Sequence, residues 1–220
     1  MSEQRVGDMR VNYSNPPMSS ADMAPAPLTQ FRSWFDVAVN AGLVEPNAMV
    51  VSTADKHGRV SSRTVLLKTI DGRGLCFFTN LQSSKARAIA NNPQVSAVFP
   101  WYPLQRQVCV TGVAELLPRD EVDAYFASRP RESQLGAWAS PQSEVIESGD
   151  DLQVAFDAAV QRFPDAVPAP PHWGGFLIAV ETMEFWSGQP SRLHDRLRYR
   201  RTAPGGLDDA SAWTLERLAP

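Results

Sequence analysis

Between residues 48 and 116 the chain alternates short extended runs with turn residues. The runs are "AMVVSTAD", "VSSRTVLLKTI" and "LCFFTN", parted by "KHGR" and "DGRG", then "QVSAVFPWY" and "RQVCVTGVAELL". Segments of this length, rich in Val, Thr and Phe and bounded by Gly and Asp, read as strands joined by turns. One short alanine-rich segment, "SSKARAIANN", interrupts them as a Ser-capped helix. Without a regular strand–helix alternation, the pattern predicts a mainly β fold: an antiparallel sheet or barrel with peripheral helices. Pro100 and Pro103 are expected to mark a turn. Three further runs, "WGGFLIAVETMEFWSG", "SRLHDRLRYRR" and "WTLERLAP", close the sheet.

Helices flank these runs. "LTQFRSWFDVAVNAG" places Phe31, Trp34, Phe35 and Ala38 on one stripe, with Gly42 as a stop. Residues 119 to 129, "ESQLGAWAS" and "DDLQVAFDAAVQRF" supply three more, the last with Leu152, Phe156, Val160 and Phe163 on its apolar face. Residues 1–27, which include "YSNPPMSSADMAPAP", show no periodicity and read as a flexible arm, leaving 28–220 as one domain.

The 21 basic and 24 acidic side chains give a net charge of −3, which argues against a chain built to coat nucleic acid. Basic residues nevertheless crowd into residues 191–201. At a strand's period, Arg192, His194, Arg196, Arg198 and Arg200 share one face, opposite Ser191, Leu193, Asp195, Leu197 and Tyr199. Such a face is either the solvated side of a sheet or an anion site, since guanidinium offers a planar fork of donors to phosphate. Solvent is the expectation for Arg198 and Arg200. No apolar run approaches a membrane span and no signal-peptide order opens the chain, so a soluble, cytoplasmic protein is expected.

Several chemistries lose their usual support. The chain has no Walker loop and no G-x-S-x-G elbow, and "GRGLCF" lacks the third glycine of a dinucleotide fingerprint. His57, His172 and His194 are scattered without metal-ligand spacing. Cys76 and Cys109 lie in apolar runs and read as buried, reduced thiols. An enzyme so equipped would rely on an organic cofactor.

Three more places combine cations with small donors. "RTVLLK" carries Arg63 and Lys68, whose spacing of five gives them opposite parity on a continuous strand, so a shared ligand requires a bulge, a wrap or a subunit interface. "TNLQSSK" places Thr79, Ser83, Ser84 and Lys85 where a strand enters a helix, either an anion site or an ordinary cap. In "YFASRPRES", Tyr125 and Arg129 share a helical face and Ser133 follows a break at Pro130, an arrangement able to hold one phosphate.

Taken together, "RTVLLK", "FFTN", "FPWYPLQRQV", "YFASRPRESQLGAWAS", "WGGF", "EFWSG", "RLHDR" and "ERLAP" resemble, in this order, the pyridoxamine 5′-phosphate oxidases of vitamin B6 metabolism. The resemblance implies an FMN-binding split barrel and a homodimer with FMN at the subunit interface. It implies that Arg63, Thr64, Val65, Leu66, Leu67, Lys68, Phe78, Thr79, Lys85, Gln107, Gln142, Ser143, Trp186 and Arg196 contact FMN. It assigns the B6 phosphate to Lys68, Tyr125, Arg129 and Ser133, the remainder of the substrate to Arg192, Leu193 and His194, and the catalytic role to Arg192 and His194. The implied reaction oxidises C4′ of pyridoxamine or pyridoxine 5′-phosphate to pyridoxal 5′-phosphate, with O2 as acceptor, releasing H2O2 and, from the amine, NH3.

Two departures stand out. Ser84 occupies a position where many members carry arginine, which predicts a weaker hold on the FMN phosphate. "MRVNY" keeps Arg10 and Tyr13 but lacks the second basic residue of an "RREY"-like arm. The rival readings are a split-barrel flavin or deazaflavin oxidoreductase of other substrate, and a non-catalytic flavin or pyridoxal phosphate carrier.

Overall fold

A computed structural model describes residues 6–220; residues 1–5 of the expected arm lie outside the described residues. The helices are α1 (Pro27–Asn40), α2 (Ser84–Asn91), α3 (Arg119–Ala127), α4 (Arg131–Ala139) and α5 (Gly149–Arg162). The strands are β1 (Ala48–Ala54), β2 (Val60–Leu66), β3 (Thr69–Ile70), β4 (Leu75–Asn80), β5 (Gln94–Trp101), β6 (Arg106–Leu116), β7 (Trp173–Ser187), β8 (Asp195–Arg201) and β9 (Trp213–Arg217). They form one antiparallel sheet ordered β2-β1-β5-β6-β7-β4-β3, with β8 on β7 and β9 on β8.

Alternation decides which face is buried. Met49, Val51, Phe77, Phe99, Val108, Val110, Ile178, Phe185 and Tyr199 point inward, and α1 closes over them with Phe31 and Trp34. Phe31 meets Phe99 edge-on at 5.0 Å, and Trp34 meets Phe185 at 5.1 Å. A second, smaller core joins α3, α4 and α5 through Phe126, Leu135, Ala137 and Ala159. Of the stripe expected on α5, Phe156 and Phe163 pack against this core, but Leu152 and Val160 face solvent. This small core is shared by three helices and is covered by the two larger side chains, Phe156 and Phe163, which leave no surface for Leu152 and Val160.

Strand β7 organises the molecule. Its first half, Trp173–Ile178, pairs with β4, and its second, Thr182–Ser187, pairs with β8, while β6 runs along the other edge. A register shift at Thr111/Gly112 bends β6, and a Cβ on Gly112 would stand 2.2 Å from the Ala179 carbonyl oxygen. Only glycine permits that approach.

Three expectations about local structure need correction. Pro100 lies inside β5, opposite Gln107 and beyond the stretch that pairs with β1, where its missing N–H costs no ladder bond. The turn is Tyr102–Leu104, closed by Gln105 in the left-handed region. "VSSRTVLLKTI" is two strands rather than one, because the chain breaks at Leu67 and Lys68. The arginine-rich strand begins only at Asp195: Ser191 and Arg192, with φ of 56° and 61°, form a tight turn, so Arg192 and His194 leave the common strand face. Arg198 and Arg200 are not simply solvated, since both pair with Glu216 on β9 at 2.8 and 2.7 Å.

Candidate active site

A cavity of about 810 Å³ opens between β2, the end of β4, the start of α2 and the helical unit. Among the described residues its walls carry four cations, Arg63, Lys68, Lys85 and Arg129, and no carboxylate. Uncompensated positive charge gathered in a partly buried cleft is costly unless an anion joins it. The break at Leu67 resolves the parity conflict: β2 ends before Lys68, and Arg63 and Lys68 face the same space.

Three of these cations, Arg63, Lys85 and Arg129, are held by neighbours. Arg63 donates to the Val51 carbonyl at 3.1 Å, Thr53 Oγ1 at 3.0 Å and Ser61 Oγ at 2.5 Å. Lys85, only 8 % exposed, donates to Thr79 Oγ1 at 2.9 Å, Gln142 Oε1 at 3.1 Å and Ser83 Oγ at 3.3 Å, all neutral partners. Burial, with the neighbouring Arg63 charge, pulls its pKa down to about 8. Burial likewise lowers the pKa of Arg129, whose guanidinium stacks 4.2 Å from the Trp173 ring centroid. Its Nη1 and Trp173 Nε1 are buried donors with no partner among the described residues. Both residues line the cavity, and such orphans fit an absent anionic ligand.

Aromatic packing fixes the rest of the wall. Phe78 on β4 stacks on Tyr125 of α3, with centroids 3.8 Å apart and planes 12° from parallel. Gly175, opposite Phe78 in the sheet, makes room for this pair: a Cβ there would fall 2.8 Å from Phe78 Cδ1 and 2.7 Å from Leu117 Cδ1. Gly175→Ala is expected to cost about 1–3 kcal/mol through overpacking. Thermal unfolding checks this, with a Tm several degrees lower as the expected result.

Of the residues singled out from sequence, the cavity unites Arg63, Thr64, Val65, Leu66, Lys68, Phe78, Thr79, Lys85, Gln142 and Ser143 with Tyr125, Arg129 and Ser133. Leu67 is not among them; its side chain is buried in the core. Ser128 and Trp173 line the cavity without having been singled out as site residues, although "WGGF" signals the second.

The remaining residues form a separate cluster. Gln107, Trp186 and Arg196 stand side by side across β6, β7 and β8. Arg196 makes a two-bonded pair with Glu184 at 2.8 and 3.0 Å. His194 packs on Trp186 at 4.6 Å and its Nδ1 accepts the Gln189 N–H at 3.1 Å, which puts the proton of the neutral ring on Nε2. Tyr13 lies edge-on to both rings, at 5.8 Å from Trp186 and 5.4 Å from His194. Leu193 is largely exposed beside them. Gly174 and Trp186 are twelve residues apart on β7, about 40 Å of strand at the usual rise.

Comparison with known proteins gives the family. Residues 35–163 match the family model described as pyridoxamine 5′-phosphate oxidase, and residues 173–220 match the pyridoxine 5′-phosphate oxidase C-terminal dimerisation region. The chain belongs to the pyridoxamine 5′-phosphate oxidase family. Pyridoxine/pyridoxamine 5′-phosphate oxidases from Salinibacter ruber and a Nocardioides species are similar along nearly their whole length. The first is 47% identical, covering 98% of this chain and 99% of the relative; the second is 51% identical, covering 96% of each. The crystal structure of PhzG from Burkholderia lata, in complex with tetrahydrophenazine-1-carboxylic acid, has a TM-score of 0.82 at 30% identity, covering 91% of this chain and 95% of that one. A related FMN-binding protein from Nostoc punctiforme, at 19% identity and a TM-score of 0.70, shares the fold, covering 90% of this chain and 100% of its own. The split-barrel fold and FMN as the family's cofactor follow, and the cation-lined, acid-free cavity fits a flavin phosphate.

Proposed function

We propose that this chain oxidises pyridoxamine and pyridoxine 5′-phosphates to pyridoxal 5′-phosphate in the cytoplasm, as a homodimer whose sites combine the two clusters. The observation that carries the reading is the cavity with four cations and no acid, large enough for two phosphorylated molecules. FMN, when bound, would supply the redox chemistry, as acceptor of a hydride from the substrate carbon and donor of electrons to O2.

The chain's own residues bind and align. Arg63, Lys85, Thr79, Gln142 and Ser143 hold the cofactor, with Thr64, Val65 and Leu66 along its edge. Lys68, Tyr125, Arg129 and Ser133 clamp the ester phosphate of the substrate. Residues 28–220 act as one oxidase domain, with the preceding residues as an arm. Because Gln107, Trp186, Arg192, His194 and Arg196 lie far along β7 from the cavity of their own chain, a second copy brings them to it. There Arg192 orients the substrate and His194 binds it.

Lys85 makes the phosphate contact testable. The unfolded chain keeps a lysine proton up to about pH 10. A folded pKa of about 8 therefore makes the ligand-free protein more stable as pH rises from there towards 10. A bound phosphate favours the charged amine instead, so FMN affinity is expected to fall about tenfold between pH 7 and 9. Riboflavin, lacking the phosphate, serves as control and is expected to show no such trend. A flat FMN profile in equilibrium dialysis removes Lys85 from phosphate contact.

The activity itself is tested by adding pyridoxine 5′-phosphate to the FMN-loaded protein without oxygen. Bleaching of the flavin band and return of colour in air are expected. The likeness to PhzG favours one second reading, oxidation of a reduced tricyclic carboxylate. Bleaching by such a compound, with both B6 esters inert, replaces the first reading with the second.

A further inference from the structure

Ser84 stands on the wall of the cavity. This residue also lines a second groove, of about 360 Å³, between the β1–β2 turn and α2. Ser61, which accepts the Arg63 hydrogen bond, stands at the same junction. Lys56, His57, Arg59 and Arg87 line the groove, against one carboxylate, Asp55. That carboxylate is already engaged by the Arg59 side chain at 2.8 Å and by the backbone N–H groups of His57 and Arg59. Arg87 donates to Glu144 at 2.8 Å from the rim, and Lys56 has no ion pair among the described residues. Val60, 70 % exposed, and Ala88 give the groove an apolar floor. Ser84 is the wall residue that the two spaces share, and its side chain is much smaller there than an arginine would be.

We propose that this groove is a nucleotide subsite continuous with the flavin phosphate site, through which the protein accepts flavin adenine dinucleotide as well as FMN. The inference rests on the reading of the main cavity as the FMN site. The flavin ring and first phosphate keep the contacts assigned to FMN. The second phosphate passes Ser84 towards Lys56 and Arg87, and the adenosine lies over Val60 and Ala88. A groove of this volume suits a ligand portion of that size, and guanidinium and ammonium groups are the usual partners of such a phosphate.

The test is ultrafiltration of the apoprotein with FMN or with FMN-free dinucleotide, identifying the retained flavin by chromatography. The dinucleotide is expected to bind within about tenfold of FMN. Ser84→Arg is expected to weaken the dinucleotide about tenfold or more while FMN binds as well or better. Joint replacement K56A/R87A is expected to weaken the dinucleotide several-fold with little change for FMN. A protein that retains FMN and leaves the dinucleotide in the filtrate overturns the proposal, as does an equal effect of Ser84→Arg on both. Retention of neither flavin overturns the reading of the main cavity instead, and this inference falls with it.

Discussion

Replacing Arg129 with methionine is expected to raise the KM for pyridoxine 5′-phosphate about a hundredfold, because a sheltered hydrogen bond to a charged group contributes about 1.5–3 kcal/mol. FMN affinity should change little, since Arg129 sits with Tyr125 and Ser133 at the α3–α4 side of the cavity, whereas Lys85 and Thr79 belong to the start of α2 and to β4. Stability without ligand should hold or improve. Nη1 of the half-buried guanidinium is buried and unpaired, so its removal relieves a desolvation cost, while methionine keeps contact with Trp173. Steady-state kinetics, FMN binding and thermal unfolding together decide the matter. An unchanged KM, or a loss of FMN in parallel, would take Arg129 out of the substrate clamp.

The second expected result is recovery of activity from two inactive proteins. Arg192→Leu and Arg129→Met each damage every site of their own homodimer, but at opposite ends of β7. If each site draws on both subunits, a mixed dimer contains one site with both defects and one with neither. Random reassortment of equal amounts should then restore about a quarter of wild-type activity under conditions where each parent is nearly silent. Unfolding and refolding the two together, followed by assay, gives the answer. No recovery, with mixed dimers shown to form, would mean that Arg192 serves its own chain's cavity.

Much of the architecture was legible because alternation and turn residues are local signals. The inward rows of β1, β5 and β6, the stripe of Phe31 and Trp34, and the break at Pro130 follow from residues near one another in the chain. The cavity was legible for a different reason. "RTVLLK", "TNLQSSK" and "YFASRPRES" each carried donors suited to phosphate, and the fold brings all three to one space. What escaped depended on tertiary context. A two-residue period cannot show that Ser191 and Arg192 turn through positive φ, nor that Arg196, Arg198 and Arg200 find carboxylates on the neighbouring strands β7 and β9. Pro100 was misread because its place at a turn or inside a strand depends on how far β6 pairs beside it, here as far as Trp101 opposite Arg106. The α5 stripe was overestimated because helical periodicity describes which residues share a face and says nothing of how large a surface awaits them.

The two cysteines have a bearing on durability. The proposed reaction releases a molecule of peroxide at each turnover, so the protein would work in a locally corrosive medium of its own making. Thiolates, not thiols, are attacked by peroxide. Cys76 is sealed in the sheet and burial raises its pKa, while burial and the nearby Glu184 push that of Cys109 up to about 11. Both stay protonated at neutral pH; packing also covers Cys76, whereas Cys109, expected to be buried, is only partly so and relies on its raised pKa to resist oxidative wear.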